Sequence, residues 1–408
     1  MATTALHRPH SAHSANPRDA FVALVGAQAW AARLRQLALQ AALGPHTAAA
    51  IRQRHAIELI INGLCGDTPR HTPATRRLIE LIDAAVALER CLSSAGRNRF
   101  AEMLQARLTG DATLAPVFHL VRTAELQVQR GFAVHFAGLC DNAPFDLLLS
   151  RGGITAEIAC DTMSADAGRD VQRAAWFDFA DRMEQDLQHW LATHPGTHLL
   201  RLTLPLGLRK HAQEQTTEFT TRTLQQRICG MLARGARRED SPAAMMRLDP
   251  LPALACRGDE QALLTLLRDE FGPEAHLCVT TGAQGMFAMA ARAGRSDEIG
   301  AAVRRRMALL PPARLTGTRP GILAMLLEDT DRTEWRSLRG RLELEGETQR
   351  FLLGSGARTV VAVSCTSRFE LLGCSEPDAA ADGELRFRNP RHPAARLAAL
   401  APAVLSSL

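Results

Sequence analysis

Residues 145–161 read FDLLLSRGGITAEIACD, and this stretch decides the fold prediction. Two short β-rich runs, Phe145–Leu149 and Ile154–Cys160, flank the turn sequence RGG, which is the pattern of a β-hairpin. Side chains alternate between the two faces of a strand, so Glu157 and Asp161 are expected on one face. The hairpin is expected to bring Asp146 close to that same face.

The acidic residues of this region predict a metal site. Glu125 lies towards the end of the preceding predicted helix, Ala115–Arg130, and is expected to reach the same place. Carboxylates that converge near strand ends suit a hard divalent cation such as Mg²⁺. Such a cation polarises a phosphodiester and lowers the pKa of a bound water. We therefore predict Asp146, Glu157 and Asp161 as metal ligands, with Glu125 as a further catalytic acid.

The order of these motifs resembles a known family. A helix with Glu125, then G-x-x-V, D-L-L-L, A-E-I-A-C-D and S-A-D-A-G-R resembles the PD-(D/E)xK, restriction-endonuclease-like superfamily over residues 115–205. More narrowly, it resembles uncharacterised bacterial members whose second strand reads roughly E-x-E-C-K-T. Weaker similarity lies at residues 317–323 and 387–390. The resemblance implies a nuclease-like α/β core in which an Asp and a Glu hold the metal and a lysine orients the attacking water.

The lysine of that motif is missing here. Aligning C-D-T with C-K-T puts Ala159 in the place of the glutamate and Asp161 in the place of the lysine. Aligning E-I-A with E-x-K keeps Glu157 and puts Ala159 in the place of the lysine. Lys210, the one lysine in the chain, lies beyond the next predicted strand. A carboxylate in place of an ammonium reverses the sign of the local field and removes stabilisation of an anionic transition state.

These residues lead to three alternative functions. The first is a catalytically degenerate nuclease-superfamily protein, a pseudoenzyme, that binds nucleic acid. The second is an active Mg²⁺-dependent nuclease in which Arg169 or Arg173, at the start of the helix after the hairpin, binds phosphate in place of the lysine. The third is a non-catalytic interaction or assembly module.

The rest of the chain predicts a mixed α/β protein in several parts. Residues 1–17 are expected to form a flexible tail, 18–110 a helical region, 111–235 the nuclease-like core, 236–250 a polar linker and 251–408 a C-terminal α/β region. Single helices are expected near 294–310 and over 333–353. The sequence GAQG at 282–285 lacks the Lys-Ser/Thr of a phosphate-binding P-loop.

Composition adds limits to these interpretations. The net charge is +5 over 408 residues, which is too mild to require a nucleic-acid partner. The nine cysteines show no C-x-x-C pair, which argues against structural zinc and a disulfide framework. No apolar run approaches the ~18 residues that cross a bilayer, and the N-terminus lacks the apolar core of a secretory signal. We expect a cytoplasmic protein with reduced thiols and no membrane partner.

Overall fold

The computed structural model describes residues 16–64, 72–209, 221–251, 259–373 and 384–406. The chain is a mixed α/β protein, as its sequence predicts. The helices, in chain order, are α1 (Pro17–Val25), α2 (Ala27–Ala41), α3 (Pro45–Arg54), α4 (Ala56–Gly63), α5 (Pro73–Cys91), α6 (Ser94–Arg107), α7 (Ala115–Gln129), α8 (Ala137–Asp141), α9 (Arg173–Thr193), α10 (Thr221–Ala233), α11 (Glu260–Phe271), α12 (Ile299–Arg314), α13 (Arg332–Gly340), α14 (Glu343–Leu353), α15 (Arg368–Leu371) and α16 (Ala401–Val404).

The strands form two separate sheets. They are β1 (Ala133–His135), β2 (Leu147–Arg151), β3 (Ile154–Ser164), β4 (Gly196–Leu204), β5 (Arg238–Asp240), β6 (Met245–Leu251), β7 (His276–Gly282), β8 (Gly285–Ala293), β9 (Gly321–Glu328), β10 (Val360–Ser367) and β11 (Leu385–Arg388). The first sheet has the order β1-β2-β3-β9-β10-β11, and the second has the order β5-β6-β4-β8-β7.

The first compact unit comprises residues 1–37, 54–165 and 300–408 and contains the first sheet. β1, β2 and β3 pair in antiparallel fashion, β3, β9 and β10 run parallel, and β11 returns antiparallel. β9 reads GILAMLLE and is almost wholly buried, as expected of a central parallel strand that is covered on both faces. The face of β3 that carries Ala156 and Ile158 shares one core with Phe118 of α7 and with the N-terminal helices.

The second compact unit comprises residues 38–53 and 166–299 and contains the second sheet. β4 and β8 are parallel and the other pairs are antiparallel. One face packs on α9 and α10, through residues such as Trp176, Leu200 and Phe287. The other face packs on α11 through Leu263 and Leu267, and Leu199 and Ala290 belong to the same cluster.

The division into units differs from the domains that the sequence predicts. The expected core over 111–235 is split after residue 165, and residues 300–408 complete the first sheet. This is because β9 pairs with β3 across more than 150 positions of sequence, a pairing that no local pattern reveals. The expected linker 236–250 contains β5 and most of β6. Its polar character comes from alternation, since Met246 and Leu248 are buried while Arg247 is exposed.

Two local predictions also need correction. β8 was not expected, because its sequence GMFAMAARA lacks the β-branched residues that favour strands. The GAQG sequence is the tight turn that joins β7 to β8, with Gly282 paired to Gly285.

The helix expected over 333–353 is two helices, and Leu342 between them adopts a left-handed conformation with φ of 56°. The tail over 1–17 lies almost entirely outside the described residues, and α1 begins at Pro17.

Candidate functional site

Three of the four predicted acids share one face of the β2–β3 hairpin. The backbone N–H of Asp146 donates to the carbonyl of Ile158 at 2.9 Å. Leu147 pairs with Ile158, and continuing that register by one residue sets Asp146 opposite Ala159. Ala159 lies between Glu157 and Asp161 on the strand, so the three carboxylates fall on the same face. We call Asp146, Glu157 and Asp161 the acid face.

Asp146 opens β2 and ties the hairpin to the end of α12. Its Oδ2 accepts hydrogen bonds from the backbone N–H of Cys160 and from Nη2 of Arg314, both at 2.7 Å. Burial raises the pKa of the Asp146 carboxyl, and the positive charge of Arg314 opposes that rise. The negative charge of Asp161 adds to the rise in the pKa of Asp146.

Glu157 is completely buried and holds the segment between α12 and β9. Its two carboxylate oxygens accept from the backbone N–H of Thr316 at 2.9 Å and from the Thr316 hydroxyl. Nη1 of Arg319 donates to Glu157 Oε1 at 3.3 Å. A buried carboxylate needs such donors, because an unpaired charge in the core destabilises the folded state by roughly several kcal/mol.

Asp161 forms a two-pronged pair with Arg306 on α12. Nε and Nη2 of Arg306 donate to the two oxygens of Asp161 at 2.6 and 2.7 Å. The Asp161 side chain is only 7% exposed, whereas that of Arg306 is 44% exposed. Parallel N–H···O bonds of this kind fix the guanidinium in orientation as well as in position.

The acid face is therefore matched by three arginines that the sequence analysis did not assign to it. Arg306 and Arg314 lie on α12 and Arg319 lies in the segment that follows it, so one stretch of chain supplies all three partners. The clearest sequence signal for them is the RRR run at 304–306 in a helix before a buried strand.

The acid face as arranged does not fit a divalent cation. Both oxygens of Asp161 and both of Glu157 already accept hydrogen bonds, and three guanidinium groups would stand beside the ion. Over the described ranges, no group of three or more His, Cys, Asp or Glu side chains is placed to hold a metal ion. The expectation of Mg²⁺ stays a prediction that no observation of this chain supports.

Glu125 does not join the acid face. It lies on α7, which packs with the Ala156 and Ile158 face of the sheet, and it accepts from Nη2 of Arg77 on α5 at 2.9 Å. On the same helix, Nε2 of His119 lies 2.9 Å from the carbonyl oxygen of Ala324. Because a carbonyl oxygen only accepts, this nitrogen is the donor. Burial lowers the pKa of His119 to about 4, as expected of a histidine in the core.

Arg169 and Arg173 belong to the second unit, whereas the acid face belongs to the first. Arg169 is buried and forms an ion pair with Asp166, three residues earlier in the chain. Its Nε also lies 4.0 Å from Oδ2 of Asp297. The backbone N–H of Arg173 also donates to Asp166. Local pairing within the second unit therefore accounts for the position of Arg169. That Arg169 or Arg173 binds phosphate remains a prediction.

A further acidic residue at the end of β9 was missed by sequence reasoning. Glu328 accepts from the Thr113 hydroxyl at 2.6 Å, and next to it Asp329 pairs with Arg54. Burial, helped by the negative charge of Asp329 and opposed by Thr113 and Arg54, raises the pKa of Glu328 to about 7 from an ordinary 4.5. The charge of Glu58 adds to the rise. The signal available in the sequence is an acid that directly follows a buried apolar strand.

Comparison with known proteins gives no assignment: no family model, curated protein or solved structure matches this chain. No helix within the described ranges is both long enough and apolar enough to cross a membrane. The described cysteines Cys91, Cys140, Cys160, Cys229, Cys278 and Cys365 are free thiols.

Proposed function

We propose that this chain is a catalytically silent, nuclease-like protein of the cytoplasm that binds nucleic acid. The observation that carries the proposal is the one-to-one pairing of the acid face with Arg314, Arg319 and Arg306. The carboxylates that would hold a metal in a nuclease instead fasten α12 and the following segment to the β2–β3 hairpin.

The order of elements supports the nuclease-like part of the proposal. α7, β1, β2 and β3 occur along the chain, with the short α8 between β1 and β2, in the order of the motifs that carry the family resemblance. Asp146 directly precedes β2, and Glu157 and Asp161 lie on β3, at the strands to which the resemblance assigns the metal-binding acids.

The chemistry of the acid face supports the proposal that the chain does not catalyse hydrolysis. Hydrolysis of a phosphodiester needs a cation to stabilise developing negative charge and a group that delivers water. At Asp161 the chain carries a carboxylate where one alignment requires a lysine. Arg306, which pairs with it, has a pKa raised by that contact and does not exchange protons near neutral pH.

The charge distribution supports nucleic-acid binding. Of 91 charged side chains, 48 are basic, and all but Lys210 of these are arginine, the side chain best shaped for phosphate. The three arginines of the acid face keep about a third or more of their side chains exposed while one edge is held by a carboxylate. A phosphate backbone that contacts them would release counterions, so binding would weaken steeply with salt.

The test combines cleavage and binding on the full chain. Plasmid DNA and a labelled oligonucleotide are incubated with Mg²⁺ and with Mn²⁺, and anisotropy measures binding from 50 to 300 mM salt, roughly the range over which such contacts weaken. We expect no cleavage with either metal and salt-sensitive binding. Arg319→Gln should reduce the slope of the logarithm of the binding constant against the logarithm of the salt concentration by about one. Arg35→Gln, a change of equal charge on α2, should leave that slope unchanged.

Two results would contradict the proposal in different ways. Metal-dependent cleavage that Asp146→Ala abolishes would establish an active nuclease with a rearranged site. No binding at any salt concentration would favour the interaction module, in which neither DNA nor RNA is a partner.

A further inference from the structure

A second charged surface lies on the second sheet, where three arginines stand side by side. Arg201 on β4 pairs directly with Arg247 on β6, and Arg247 pairs directly with Arg238 on β5. We call Arg238, Arg247 and Arg201 the arginine row. Directly paired residues share a face of the sheet, and neighbouring strands are about 4.8 Å apart, so the row spans roughly 10 Å.

The arginine row lies on the face that α11 covers only in part. Alternation places Arg201 and Thr203 on the face of Leu199, which packs with α11, whereas Leu200 and Leu202 face α9 and α10. Beyond the α11 cluster this face is open, with the Arg238 side chain 76% and the Arg247 side chain 68% exposed.

The open part of this face forms a concave site. A cavity of about 310 Å³ is lined by all three arginines of the row, by Arg292 on β8 and by apolar side chains that include Met245 and Phe271. Four arginines and Asp240 are the charged residues of the lining. This volume is at the lower end of the range for small-ligand sites, and an apolar floor with a few charged groups is typical of them.

Carboxylates hold Arg238 and Arg247 through one nitrogen each and leave the others available. Asp240 accepts from Nε of Arg238 at 2.6 Å, and Asp249 accepts from Nε of Arg247 at 2.9 Å. Within the described part of the chain, no protein partner takes the terminal amino groups of Arg238 and Arg247. A guanidinium anchored at Nε presents its terminal amino groups as a fork that matches phosphate oxygens.

Arg201 is the most firmly positioned member of the row. Its Nε lies 3.2 Å from Asp249 and its Nη2 lies 3.0 Å from Glu270, and the guanidinium stacks over the Phe271 ring at 5.1 Å from the centroid. Like charges directly opposite one another on a sheet are destabilising. Asp240, Asp249 and Glu270 offset this repulsion, and the terminal amino groups of Arg238 and Arg247 that they leave available suit an anionic ligand.

We propose that the arginine row binds a small organic ligand that carries a diphosphate, of the nucleoside diphosphate class. The ~10 Å row is wider than one phosphate group, so two linked phosphates are needed to contact all three arginines. The apolar lining beside the row then holds the organic part of the ligand. This site is independent of the acid face and of nucleic-acid binding there.

The experiment titrates the full chain, without added metal, with ADP, pyrophosphate and inorganic phosphate in a calorimeter. We expect ADP and pyrophosphate to bind, and inorganic phosphate to bind at least about tenfold more weakly, because it reaches fewer arginines. Arg247→Gln should weaken ADP binding by about tenfold or more. Arg222→Gln, which removes an exposed arginine from α10 on the other side of the sheet, should leave it unchanged.

Three outcomes would overturn the proposal. The first is no heat of binding with either ADP or pyrophosphate. The second is an equal loss of affinity in the Arg247 and Arg222 variants, which would show attraction to net charge alone. The third is binding of a thymidine oligonucleotide, but not of ADP, that Arg247→Gln abolishes, which would assign the row to a nucleic-acid strand. Circular dichroism of each variant confirms that it is folded.

Discussion

The acid face and the arginine row are both built from arginine–carboxylate pairs on a β-sheet, yet they differ in which partner is buried. On the acid face Glu157 and Asp161 are buried and both oxygens of each accept hydrogen bonds, while Asp146 is half-buried, so the arginines act as fasteners. In the row Arg238 and Arg247 are exposed and each is held through Nε alone, so their terminal amino groups remain able to bind. The same residue types thus serve structure or recognition according to the depth at which the fold places them.

The largest expected effect comes from removing a buried acid. Glu157→Ala leaves the Thr316 N–H and Arg319 without their acceptor and should lower the free energy of unfolding by about 3 kcal/mol. Glu157→Gln keeps one acceptor oxygen and should cost roughly half as much. Urea denaturation of the full chain measures both. Equal and small losses, near those of Arg35→Gln, would show that the acid face does not fasten α12.

Glu328 provides a pH test of burial in the same unit. Its pKa is raised to about 7 in the folded chain from about 4.5 when unfolded, so the folded state binds the proton more tightly. The stabilisation is fully present below about pH 4.5 and is lost as the pH rises through 7. Between pH 5 and 8 the free energy of unfolding should fall by about 2 kcal/mol more in the wild type than in Glu328→Gln. Identical pH profiles for the wild type and Glu328→Gln would contradict a buried carboxyl with a raised pKa at the end of β9.

The smallest effects give the most direct comparison of the two surfaces. Arg306→Gln leaves Asp161 buried without its cation and should cost about 1.5 kcal/mol of unfolding free energy. Arg247→Gln removes one of three like charges from an open sheet face and should change it by less than about 0.5 kcal/mol. The two substitutions are chemically identical, so denaturation midpoints can be compared directly. A larger loss at Arg247 than at Arg306 would reverse the distinction between fastener and binding group.

Local patterns predicted several elements closely. The helix expected over Ala115–Arg130 is α7, and the hairpin runs expected from residue 145 are β2 and β3. The Thr72-Pro73 pair predicts an N-cap followed by proline at the first helical position, and α5 begins at Pro73, with the Thr72 side chain accepting from the Thr75 N–H. These predictions succeeded because capping, turn residues and alternation act within a few residues of one another.

The partners of the acids were beyond such reasoning. Arg306, Arg314 and Arg319 follow the hairpin by about 145 residues or more, after the whole second unit. The polar run at 236–250 was read as a linker because its charges were visible and its strand pairing was not. An arginine-rich strand on an open sheet face and an exposed linker have similar compositions.

The sequence by itself determined that the chain is α/β, that β2 and β3 form a hairpin, and that three carboxylates share one face of it, because strand alternation is a local property. Only the tertiary structure decided what meets that face. A strand paired from a distant part of the chain brings α12 and its arginines onto the acids, so the three carboxylates form ion pairs with them. Burial and long-range pairing depend on the whole fold, and they set the chemistry of a carboxylate more strongly than its neighbours in sequence do.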